Sequence, residues 1–134
     1  MITEDYVSFE TAKLLKEKGF DWDCKQVYDL VRPQSCADGK MYDNFPDENP
    51  NAYDELVSAP TLQMAMKWLR KKHNQNITVE AYNNVARLKT IYYAEAQNLS
   101  EPAEKGFCVN ACIFKDTYEE ACEAAIKYCL ENLI

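Results

Sequence analysis

The chain has 134 residues, of which 47% are hydrophobic, 12% aromatic and 28% charged, with 3 glycines and 5 prolines. That composition excludes a disordered, collagen-like or low-complexity chain, and the length suits one domain that can bury a core without a metal or disulfide. Its 15 basic and 22 acidic residues leave a formal net charge of −7, which repels phosphates at long range and disfavours nucleic acid as a partner.

Taken in chain order, the first element is a helix. Ser8 is placed to cap it, Phe9, Ala12 and Leu15 share one face, and Gly19 followed by Phe20 forms a stop. Cys24 to Leu30 alternates weakly and reads as a short strand. Residues 32–57 have no period and hold Pro33, Pro46 and Pro50, with six acids against two bases. They read as a long polar acidic loop. Its aromatics Tyr42, Phe45 and Tyr53 are the candidate partner-binding residues, since aromatics on a loop pin it to the core or dock it on a partner.

Thr61 caps a second helix with the stripe Leu62, Met66, Leu69 and His73, and with Ala65 and Trp68 beside it. Ile77–Tyr82 and Leu88–Ala94 are rich in β-branched and aromatic residues and read as a hairpin, with Asn83-Asn84 as its turn. A polar break follows, then a strand over Phe107–Phe114 whose residues Phe107, Val109, Ala111 and Ile113 form one apolar face. Thr117-x-x-Glu120 is a capping box for a last helix, whose apolar face is Tyr118, Ala121, Cys122, Ala125, Cys129 and Leu133. The order lacks a recurring strand–helix–strand pattern. It predicts an α+β fold, with an antiparallel sheet of three to four strands and about three helices packed mainly on one face. The expected organisation is a single domain over 1–134.

No stretch is long and apolar enough to span a bilayer. The start, Met1-Ile2-Thr3-Glu4-Asp5, has neither the basic nor the apolar region of a secretory signal. A cytoplasmic protein is therefore expected, with reduced thiols at Cys24, Cys36, Cys108, Cys112, Cys122 and Cys129. A metal site from Cys24, Cys36, Cys108 and Cys112 lacks any Cys-x-x-Cys pair, and the only histidine is His73. No glycine-rich phosphate loop, serine-nucleophile elbow or metalloprotease motif occurs, so the chain points away from an enzyme and implies no cofactor. His73 with Cys108 is the pair a catalytic reading would use; the structural reading of His73 is a helix cap. Lys67, Arg70, Lys71 and Lys72 form a basic cluster without an acid, as suits a helix C-terminus.

The order helix–strand–strand–strand–helix over 61–134 is similar to that of a double-stranded-RNA-binding domain. Such domains grip phosphates from a basic last helix; here Asp116-Thr117-Tyr118-Glu119-Glu120 stands in that place and excludes that grip on charge. Three further stretches carry another resemblance. They are Tyr6-Val7-Ser8-Phe9-Glu10-Thr11-Ala12-Lys13-Leu14-Leu15-Lys16-Glu17-Lys18-Gly19-Phe20, Pro60-Thr61-Leu62-Gln63-Met64-Ala65-Met66-Lys67-Trp68-Leu69-Arg70, and Thr117-Tyr118-Glu119-Glu120-Ala121-Cys122-Glu123-Ala124-Ala125-Ile126. Together they resemble a group of small proteins encoded by phages and prophages of gut bacteria, which has no assigned activity. The resemblance implies a phage-related accessory protein in the cytoplasm of a bacterial host.

The expected function is a non-catalytic protein-interaction module with an unidentified protein partner. One alternative is an acidic DNA mimic that blocks host defence. A further alternative is nucleic-acid binding through the 67–72 basic cluster, with Trp68 near it.

Overall fold

A computed structural model describes residues 5–30, 46, 48–86, 88–99 and 109–134. They form helix α1 (Phe9–Glu17), strand β1 (Val27–Asp29), a 3-10 turn (Pro50–Ala52), strand β2 (Leu56–Ser58), helix α2 (Leu62–His73), strands β3 (Gln75–Asn84), β4 (Lys89–Asn98) and β5 (Val109–Lys115), and helix α3 (Tyr118–Asn132). The fold is α+β. The strands make two antiparallel sheets, a β1–β2 ribbon and a three-stranded sheet in the order β3–β4–β5. The chain divides into two compact units between Ala65 and Met66, inside α2.

In the first unit, the ends of α1 follow from single residues. Ser8 Oγ accepts from the Thr11 amide at 3.3 Å, the expected cap. Gly19 sits at φ +91, and the Gly19 and Phe20 amides bond back to the carbonyls of Lys16 (3.1 Å) and Leu15 (2.9 Å). This is the Schellman closure, and it folds Phe20 under the helix as a buried side chain. The ribbon pairs Val27 with Ser58, Tyr28 with Val57 and Asp29 with Leu56. Side chains tie this short ribbon down. Lys16 Nζ donates to the carbonyls of Tyr53 and Leu56, each at 2.7 Å. Asn51 Nδ2 donates to the Phe20 carbonyl and Asn51 Oδ1 accepts from the Ser58 amide, each at 2.8 Å. Tyr28 donates its buried hydroxyl to the Val7 carbonyl at 2.8 Å.

In the second unit, β3 and β4 pair in unbroken register from Gln75↔Asn98 to Asn84↔Lys89, and β5 pairs with the other side of β4. α3 packs across all three strands. Thr117 Oγ1 caps it, accepting from the Glu120 amide at 3.1 Å. Its buried stripe is Ala121, Cys122, Ala125, Ile126, Cys129 and Leu130. On the sheet, Ala94 and Ala96 are buried, as is Ile77 opposite Ala96. The Tyr92 ring meets the Tyr118 ring edge-on at 6.2 Å, so the even-numbered residues of β4 face the helix.

The structure corrects the sequence reading at three points. Leu56–Ser58, with the turn before it, belongs to regular structure and not to an aperiodic loop; three residues are too short to show a period. Asn83 and Asn84 stay in β3, and the turn residues are Val85, Ala86 and Leu88, of which Leu88 takes a left-handed φ of 53. On α3, Ile126 and Leu130 join the buried face, while Tyr118 and Leu133 are half-buried. Residues 32–45 and 47 of the loop, and Phe107, lie outside the described residues.

Ala94 sits fully buried between its neighbours Val79 and Ile113, under α3. Ala94→Leu should therefore destabilise the fold by ~1–3 kcal/mol through overpacking. Urea unfolding followed by circular dichroism checks this as a lower midpoint at unchanged slope.

Candidate functional site

With Ala94 and Ala96 turned toward α3, strand alternation turns Tyr93, Glu95 and Gln97 to the opposite face of the sheet. The register then builds rows across it. Glu80, Tyr93 and Phe114 are cross-strand neighbours in one row, and Thr78, Glu95 and Cys112 in the next. The Tyr93 and Phe114 rings lie 5.0 Å apart at 42°. Phe114 is 57% exposed, and Tyr82, two residues along β3 from Glu80, is 55% exposed.

Tyr93 organises the centre of this face. Its hydroxyl hydrogen-bonds with Glu95 and lies 3.4 Å from Cys112 Sγ. The contact with Cys112, then that with Glu95, raises the phenol pKa, so Tyr93 keeps its proton more firmly than a solvated tyrosine. Gln97 donates to Glu95 at 3.4 Å and accepts from Asn76 at 3.4 Å. Glu80 is exposed, with no ion-pair partner among the described residues. At the end of the face Lys89 pairs with Asp116 at 2.9 Å. A hollow of about 260 Å³ beside Phe114 is lined by Ile91, Lys115, Asp116 and Glu120.

In the first unit, Tyr6, Cys24, Lys25, Pro60, Thr61 and Met64 line a groove of about 380 Å³. Burial, and after it the Asp23 charge, push the Cys24 thiol up to about 12. A thiol held in its protonated form is a weak nucleophile, as buried structural cysteines are.

The residues singled out from sequence fall as follows. Tyr53 is exposed, at the end of the 3-10 turn, and its hydroxyl donates to Glu48 at 3.1 Å. Tyr42, Phe45, Cys36 and Cys108 lie outside the described residues. His73 is at the end of α2 with its ring 4.7 Å from that of Trp68. Trp68 is 1% exposed, so it is closed to stacking on a base, although Lys67, Arg70, Lys71 and Lys72 are exposed. Among the described residues no group of three or more His, Cys, Asp or Glu side chains is placed to hold a metal ion. Nor is any helix among them long and apolar enough to cross a membrane. Sequence reasoning missed Tyr93, Glu95, Cys112 and Phe114, although the alternation of Ala94 and Ala96 with Tyr93 and Glu95 carried the signal. No protein-family model, curated protein or solved structure matches the chain.

Two measurements test this geometry. In a Cys36→Ser/Cys108→Ser background, a maleimide should label exposed Cys112 while buried Cys24, Cys122 and Cys129 react only on unfolding, read by peptide mass mapping. Burial also pushes Cys129 up to about 12. In the unfolded chain Cys24 and Cys129 ionise from the ordinary value of 9.0, so above it the folded state holds more protons than the unfolded. Stability should therefore be full below that value and fall as pH rises through it toward 12. A flat stability profile over this alkaline window would contradict the burial of both thiols.

Proposed function

We propose that the chain is a non-catalytic protein-interaction module, and that its binding surface is the aromatic face of the three-stranded sheet. The observation that carries this reading is the grouping of exposed Phe114 and Tyr82 around half-buried Tyr93. Single exposed apolar side chains are ordinary, but clustered aromatics with a polar surround have the make-up of an interface centre. The chemistry of the face supports binding over catalysis. Its thiol, Cys112, contacts a phenol that holds its own proton tightly, so Tyr93 does not act as a base toward it. On the likeness of its helical segments to phage- and prophage-encoded proteins, we infer that the module is an accessory protein of that origin, acting in the cytoplasm of a bacterial host.

Site-resolved photo-crosslinking tests the reading. A benzophenone amino acid at position 114 should give a discrete protein adduct in cells. The same probe at position 13, on an exposed part of α1, should give none. Adducts from position 53 alone would move the binding surface to the 32–57 segment. The absence of any adduct from either position would overturn the proposal.

A further inference from the structure

Resting on the interaction-module reading, we infer that the segment bound on this face is cationic and bears arginine. Its guanidinium lies on the Tyr93–Phe114 ring pair and is held by Glu80 and Glu95. The register sets this arrangement. Glu80 stands directly across from Tyr93, and Glu95 is two residues along the same strand and face. Directly opposed Cβ atoms lie ~5 Å apart, and i, i+2 neighbours ~7 Å apart, so both carboxylates border one aromatic platform. A cation above such a ring is attracted by the ring's negative face, and a carboxylate at the rim adds a charge-assisted hydrogen bond.

The charges of the face do not cancel internally. Lys89, the cation at its end, is engaged by Asp116 at 2.9 Å. Glu80 has no ion-pair partner among the described residues. Glu95 receives Tyr93 and Gln97, which leaves carboxylate lone pairs open. Arginine fits better than lysine because its planar fork both stacks on a ring and reaches a carboxylate bidentately. A second copy of the chain fits poorly, since an isologous contact would bring two sets of the same carboxylates, Glu80 and Glu95, into one interface between two molecules of net charge −7. A nucleic acid would bring phosphates against the same two carboxylates.

The test uses the full chain, labelled with nitrogen-15, and two short uncharged-end peptides that differ only in carrying paired arginines or paired lysines. Amide shifts should cluster on Glu80, Tyr93, Glu95 and Phe114, with the arginine peptide about fivefold the tighter. Phe114→Ser should remove the difference between the peptides, and Glu80→Gln should weaken both. Glu80 is exposed, so that variant stays folded and keeps the test decisive if Phe114→Ser does not. Equal affinities with shifts scattered over all the acidic residues would overturn the inference, as would shifts confined to the α3 face or concentration-dependent dimerisation through this face. If position 114 still crosslinks to protein while arginine preference is absent, the module reading stands and this inference alone falls.

Discussion

The alternation of β4 is the constraint from which the second unit follows. A strand has two faces and each residue must take one. Ala94 and Ala96 are small enough for α3 to lie close over all three strands, and the helix meets them with its own small side chains Ala121, Cys122 and Ala125. Once the alanines are committed to the helix, Tyr93 and Glu95 have no choice of side. The aromatic platform is the obligatory reverse of the packing that holds the sheet. This is also why a one-residue slip of β4 is not tolerated: it would bury a carboxylate and a phenol under α3 and expose the core.

The first unit meets a different problem. A ribbon of paired three-residue strands has too little ladder and too little area to stand by itself. Its cohesion comes from side chains that bond to main chain: Lys16 on two carbonyls, Asn51 on a carbonyl and an amide, Tyr28 on the Val7 carbonyl. Each fastens a segment distant in sequence, with Lys16 reaching from α1 to the turn before β2. Of these bonds that of Tyr28 is buried, where leaving the Val7 carbonyl or the hydroxyl unpaired costs ~1–3 kcal/mol, while those of Lys16 and Asn51 are exposed or half-buried and serve mainly to fix the path of irregular chain.

Helix ends were the most legible features of the sequence. Ser8, Thr61 and Thr117 accept from amides three residues on, and Gly19 at positive φ donates its amide back to the Lys16 carbonyl, so the local pattern contains the whole cause. The β2 strand was not legible, because its three residues owe their conformation to β1 and to Asn51, neither of which is local. The hairpin was read with the right partners but ended too early. Gln97 and Asn98 look like a polar break until they are paired with Asn76 and Gln75. Ending the strand at Ala94 hides the aromatic face, since Glu95 then falls outside the hairpin and Tyr93 loses the neighbour beside it. An aromatic among acids, such as Tyr53, stands out in one dimension, whereas one in a strand needs its register to be placed.

The hairpin is also longer than what lies under it. Its 10-residue strands extend ~33 Å at ~3.3 Å per residue, against ~22 Å for the 15-residue α3 at ~1.5 Å per residue. The overhang is visible in accessibility: Ala81, Tyr82, Asn83, Val85, Ala86, Leu88, Lys89 and Thr90 are all exposed. Cohesion in the sheet is thus graded along its length, firm at the buried rungs around Ile77 and Ala96 and held toward the tip by ladder bonds and the exposed side-chain contacts Thr90–Asn83 and Lys89–Asp116. The loosest end of the β3–β4 pair carries Val85 and Leu88, 83% and 90% exposed, as an apolar fingertip. Fraying there can proceed without disturbing the rungs beneath, which makes the tip a natural place to graft a reporter.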